Sequence, residues 1–174
     1  MYKRILVPID GSPTATRGLD EAIDLARLTG ATLLLMHVLD ELVFVTGFEP
    51  GATYMTDVLP MLKSRGKQVL DAGRTRVEAA GLKAETVLVE CFGTRTSEVV
   101  VDQARTWDAD LIVLGTHGRR GVSRLVLGSD AEQIARGSTM PVLLVRGMEP
   151  AAPKLGAAAP AAITAAARVS TAVL

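Results

Sequence analysis

Five short apolar runs punctuate the chain, and between them apolar residues recur every three or four positions. The runs are Arg4 to Ile9 (RILVPI), Thr32 to Val38, Thr86 to Glu90, Leu111 to Leu114 and Val142 to Val145. Each is four to seven residues long and mostly apolar without alternation, the pattern of strands buried on both faces. The stretches between them read as helices. After Ser12, a cap residue, and Pro13, suited to a first helical position, the residues Leu19, Ala22, Ile23 and Ala26 form an inner face that stops at Gly30. A long helix is expected from Tyr54 to about Ala80, with Met55, Val58, Leu59, Leu62, Val69, Leu70 and Val77 on one face and Gly81 at its end. Gly66 and Gly73 inside it each cost about 1 kcal/mol against alanine, so they predict a weak or interrupted helix. A further helix is expected from Thr96 to Trp107, with Trp107 closing the corner to the next strand, and another from Ser129. Strand, helix and strand joined by tight links imply right-handed crossovers and a parallel sheet. The fold class is therefore α/β, a doubly wound sheet with helices on both faces. Ligands in that architecture bind at the carboxyl ends of the strands, where the winding reverses. Periodicity does not give the order of the strands.

Composition narrows the picture without changing it. At 174 residues the chain is long enough for one domain with a proper core. The text changes after Gly147, so residues 1–147 are expected to fold and 148–174, rich in alanine and proline, to form a tail that is disordered or docked on a partner. The 19 basic residues balance 19 acidic ones with no long basic run, which gives no indication of a nucleic-acid surface. No apolar run approaches the length of a membrane span, and Met1-Tyr-Lys-Arg leads straight into a strand instead of a signal peptide. A cytoplasmic protein is expected. The one cysteine, Cys91, reads as a half-buried residue at a strand end. The segment from Asp40 to Thr53, with Phe44, Phe48 and Pro50, is long for such a sheet: either a lid or contact surface, or a cover for the sheet edge.

The chemistry concentrates after the fourth strand. Gly115-Thr-His-Gly118 is followed by Arg119, Arg120 and Arg124, and then by Gly128-Ser129. Glycines let main-chain N–H groups turn toward a ligand, and Ser129 with Glu132 three residues on predicts a capping box at a helix N-terminus. Loop amides, a helix dipole and arginines together make an anion site, most plausibly for phosphates. The competing reading makes the glycines turn residues and Ser129 only a cap. Asp10, before Gly11 and Ser12, fits an Asx-turn equally well as a ligand-facing carboxylate. Of the three arginines, at most one is expected to reach a phosphate. His117 reads as a loop residue chosen for its backbone, and His37 as a satisfied core histidine. No phosphate-loop lysine motif, dinucleotide fingerprint, nucleophile elbow or paired His/Cys set is present.

The spacing G-x2-G-x9-G-S from Gly115 to Ser129, with ADLIVLGTHGR around its start and LLV after a proline beyond it, resembles the ATP-binding signature of the universal stress protein family. The resemblance covers residues 2 to 146. It implies a Rossmann-like, five-stranded parallel sheet in the order 3-2-1-4-5, which would bring Asp10 opposite Gly115. It further implies that Gly115 lies near the ribose, that Gly118, Gly128 and Ser129 hold the phosphates, and that Asp10 is the adenine-side carboxylate. Pro8, Ile9 and Val38 would line the base pocket. Arg119 is the arginine assigned to the phosphates. A divalent ion, Mg or Mn, would be carried by the phosphates and water with Asp130 the acidic side chain beside the motif. The edge from Pro141 to Val145 has no charge or bulge to block pairing, and the family pairs it about a two-fold axis, so a homodimer is expected. A binding signature without a catalytic set points to an ATP-binding regulatory module in the stress response. The alternatives are a slow ATPase or self-phosphorylating enzyme, modifying Ser123 or Ser129, and a scaffold with a degenerate site.

Overall fold

The structure, a computed structural model, describes residues 1–40, 58–116 and 127–147. Within them the elements are β1 (Arg4–Pro8), α1 (Pro13–Thr29), β2 (Thr32–Asp40), α2 (Leu59–Ala79), β3 (Ala84–Cys91), α3 (Thr96–Thr106), β4 (Leu111–Gly115), α4 (Ser129–Gly137) and β5 (Val142–Val145). All pairings are parallel, and the sheet order is β3-β2-β1-β4-β5. The expected Rossmann-like order is the one observed. The segment from 41 to 57, including the expected lid and the first turn of the long helix, lies outside the described residues, as does the tail from 148.

Two apolar layers follow directly from the two-residue period of a strand. Ile5, Val7, Leu33, Leu35, Leu111 and Val113 point to one face, where they meet Leu19, Ala22, Ile23 and Ala26 of α1 and Leu70 and Val77 of α2. Leu6, Leu34, Met36, Ile112 and Leu114 point to the other, against Val100, Val101 and Ala104 of α3 and Ala131 and Ile134 of α4. α1 begins at the Ser12 cap, whose Oγ accepts the Ala15 N–H at 3.1 Å, and ends at Gly30 in the left-handed conformation, φ 72°.

The long helix is unbroken across both of its suspect glycines. Gly66 and Gly73 lie on its buried face, and a Cβ at Gly73 would stand 2.8 Å from Ile9 Cδ1 and 3.1 Å from Leu35 Cδ1. At Gly66 a Cβ would stand 2.7 Å from Leu88 Cδ1 and 2.9 Å from His37 Cδ2. The helical propensity they give up is offset by the close approach of helix to sheet, a tertiary term that local propensity does not contain.

At the amino ends of the strands, Asp110 accepts the main-chain N–H groups of Lys3 and Arg4 at 2.7 and 3.1 Å. The Arg4 guanidinium lies 4.2 Å from the centroid of the Trp107 ring, and Trp107 Nε1 donates to Glu85 at 3.1 Å. Trp107 thus closes the corner between α3 and β4, as expected. Cys91 is the last residue of β3 and is buried.

Candidate functional site

The site is opened by a divergence of strands. β1 is paired to β2 as far as Pro8↔Met36, and β4 to β5 as far as Gly115↔Val145, but β1 and β4 pair only at Ile5↔Leu111 and Leu6↔Ile112. Beyond Leu6 the two central strands part, leaving a crevice at their carboxyl ends where the winding reverses.

α1 bounds this crevice on one face of the sheet. Its approach is set by two glycines: a Cβ at Gly18 would stand 3.2 Å from Gly115 N, and one at Gly115 would stand 2.7 Å from the carbonyl carbon of Thr14 and 2.8 Å from its oxygen. Gly115 therefore has a packing reason to be glycine, independent of any ligand. The N-terminus of α1 is internally satisfied, since Ser12 Oγ takes the Ala15 N–H and Asp10 Oδ1 takes the Ser12 N–H at 2.9 Å. The Asx-turn reading of Asp10 is thus realised in the fold, alongside any ligand role.

α4 bounds the other face and differs in this respect. Its N-cap is Gly128, φ −60° and ψ 145°, with no side-chain cap, and the Gly128 carbonyl accepts the Glu132 N–H at 2.9 Å. The expected capping box is not formed. Ser129 is already the first helical residue, so its hydroxyl is one position too late to cap, and Glu132 instead pairs with Arg136 at 2.8 Å. Gly128 donates its own N–H to the Thr116 carbonyl at 2.8 Å. This bond fixes the helix start to the end of β4, and donors toward the crevice begin at Ser129. The next amides, of Ser129, Asp130 and Ala131, are the orphan donors of the first turn. A crossover helix runs antiparallel to the strands it joins, so these amides and the positive end of the dipole emerge at the carboxyl end of the sheet.

The remaining predicted positions fall as follows. Pro8 ends β1, and Val38 packs at the margin of the α3 and α4 layer, the same side as the α4 N-terminus. Ile9 does not join them: its side chain is 6% exposed and packs in the α1 and α2 layer against Gly73. The strand period turns it away from Val38, and only its backbone borders the crevice. Its carbonyl receives the His37 Nδ1–H at 2.6 Å, which makes His37 the satisfied core histidine expected. Gly118 and Arg119 lie outside the described residues, as do His117, Arg120, Ser123 and Arg124. Thr116 was missed by sequence reasoning. It is buried, donates its N–H to Val145 and accepts from Gly128, but nothing distinguishes it in the text from a loop threonine.

A separate cavity of about 420 Å³ lies between α1 and α2, lined by Ile9, Leu19, Arg65, Gln68, Gly73 and Arg76 among others. It is on the opposite face from the α4 amides. Arg76 on its wall is held by Asp20, whose hydrogen bond and charge keep the guanidinium more firmly protonated than usual. Among the described residues no group of three His, Cys, Asp or Glu is placed to hold a metal ion, and no helix is long and apolar enough to cross a membrane.

A sequence profile of the universal stress protein family matches residues 1–146, which contain this crevice. The chain belongs to the universal stress protein family. It is 33% identical over 146 residues to universal stress protein MJ0531 of Methanocaldococcus jannaschii, covering 84% of this chain and 83% of that one. Among solved structures it superimposes on MJ0577 of the same organism with a TM-score of 0.73 at 27% identity, covering 84% of this chain and 96% of that one. It also superimposes on the universal stress protein of Archaeoglobus fulgidus in complex with dAMP, with a TM-score of 0.62 at 26% identity, covering 83% of this chain and 98% of that one. The strand order expected of a universal stress protein is therefore matched by relatives and by the sheet itself.

Proposed function

We propose that this universal stress protein is an adenine-nucleotide-binding regulatory module whose ligand is ATP, held in the crevice between β1 and β4. The observation that carries the reading is the open N-terminus of α4, tied by Gly128 to Thr116 at the carboxyl end of β4. Three orphan amides and a helix dipole at that point suit a phosphate. The dAMP complex of the Archaeoglobus fulgidus relative supports an adenine nucleotide as the ligand class. In this reading Ser129 and Asp130 face the phosphates, Gly118 and Arg119 complete their cradle, Gly115 borders the ribose, and Asp10, Pro8 and Val38 border the base. Asp130, in the first turn of α4, would repel a phosphate directly. A Mg or Mn ion on the phosphates relieves that repulsion, so the nucleotide is expected to bind with its cation.

Without a phosphate-loop lysine motif or a catalytic set in the sequence, the module is expected to retain ATP stoichiometrically over minutes. Mass analysis of nucleotide released from the purified protein, followed by a phosphate-release assay, tests both points. Phosphate release at about 1 per second or faster would replace the module with an enzyme, and no ATP binding at millimolar nucleotide would overturn the proposal.

The assembly is proposed to be a homodimer through β5. That edge strand is apolar, and Leu143 on it is 38% exposed. An unprotected apolar edge is normally covered or paired. A dimer mass in light scattering at micromolar concentration is the expected result; a monomer rules it out. Residues 1–147 are proposed as the complete folded unit, and removing 148–174 is expected to leave the melting transition and ATP affinity unchanged. Loss of a cooperative melt in the shortened chain would move the boundary.

A further inference from the structure

α4 is only nine residues long and buries just two side chains, Ala131 and Ile134. Such a helix has little apolar contact to fix its direction. The Gly128 to Thr116 bond pins its start, and the short link 138–141 joins its other end to β5. A further attachment is polar: Ser97 Oγ donates to Gln133 Oε1 at 2.9 Å, one turn along α4. Ser97 sits in the first turn of α3, 4% exposed, in line with Val100, Val101 and Ala104 on the face that packs in the sheet layer. A buried hydroxyl on an otherwise apolar helix face is costly without a partner. Here the partner is on the helix whose amides border the crevice.

We propose that Ser97 is a positioning residue for phosphate binding: through Gln133 it sets the angle of α4, and so the direction of the Ser129, Asp130 and Ala131 amides. The inference rests on the nucleotide reading above and extends it to a residue on a different helix, outside the glycine signature. Its effect must grow with the number of phosphates, because the adenosine end of the crevice is assigned above to the ends of β1, β2 and β4, none of which Ser97 holds through Gln133.

The test compares ATP and adenosine binding by calorimetry in wild type, Ser97→Ala, Ser97→Thr and Gln133→Ala. Loss of one net hydrogen bond from the arrangement predicts about fivefold weaker ATP binding in Ser97→Ala. Adenosine affinity should stay at the wild-type value, and Ser97→Thr, which keeps the hydroxyl, should restore ATP binding. Gln133→Ala removes the same bond from an exposed position, so it remains informative even where Ser97→Ala folds poorly. It should match Ser97→Ala, and the double variant should lose no more than either. A folded Gln133→Ala protein with wild-type ATP affinity, or one that loses ATP and adenosine equally, overturns the inference. Wild-type protein that binds ATP no more tightly than adenosine overturns the nucleotide reading itself, and is read before any variant.

Discussion

Ser129→Pro is expected to weaken ATP binding about tenfold or more while leaving the fold and adenosine binding intact. Ser129 is the first residue of α4, the one helical position where proline is favoured, because its N–H has no intrahelical partner there and its φ is already near that of a helix. Gly128 before it, at φ −60° and ψ 145°, has the extended conformation that a residue preceding proline adopts. The substitution thus deletes the amide donor and the side-chain hydroxyl while leaving the backbone path unchanged. A hydrogen bond to a charged group contributes about 1.5–3 kcal/mol, and 1.4 kcal/mol is a factor of ten. Ser129→Ala, which keeps the amide and loses the hydroxyl, separates the two contributions. Titration calorimetry decides: if Ser129→Pro binds ATP as tightly as Ser129→Ala, the α4 amides are not the phosphate donors.

Gly115→Val should be felt in the fold before it is felt by any ligand. The atoms a Cβ would meet, the Thr14 carbonyl carbon at 2.7 Å and oxygen at 2.8 Å, are main chain and cannot rotate aside. The first turn of α1 must lift from β4, at a cost of about 3 kcal/mol on the scale of overpacked cores. For a domain of this size that corresponds to a fall in Tm of about 6–12 °C. Gly137→Ala is the control, since a Cβ there meets nothing within 4 Å. A Gly115→Val protein that melts within about 2 °C of wild type would show that α1 does not depend on that contact.

The inner strands were legible because they are buried on both faces: the apolar runs of β1, β2 and β4 reappear at almost the expected boundaries. β3 extends beyond its apolar run at both ends, since an edge strand carrying Glu85 and Glu90 on partly open faces looks like loop at its margins. Strand order was not legible from periodicity and came only with the family resemblance, because order is a property of long-range pairing. The site was legible as text and less so as geometry. Gly115 reads as a ligand glycine but is required by Thr14, which lies a hundred residues earlier in the chain. Ile9 sits beside Pro8 and Asp10 in the sequence, yet the strand period sends its side chain to the opposite layer. Ser129 looks like a cap, and a boundary shifted by one residue makes it a donor. Ser97 and Gln133 carry no motif at all, since their meaning arises only where α3 crosses α4.

The stacking of Arg4 on Trp107 has a practical consequence. Trp107 is the only tryptophan of the chain, and it lies at the amino ends of the strands, with the length of the sheet between it and the crevice. Its ring is held by a cation on one side and by Glu85 at the indole nitrogen, contacts that join β1, β3 and α3 and vanish together on unfolding. Emission from this single fluorophore therefore reports the integrity of the sheet, with the proposed nucleotide too distant to touch it. Melting curves followed by that signal can be recorded with and without nucleotide, and any displacement between them measures binding by linkage free of optical interference at the site.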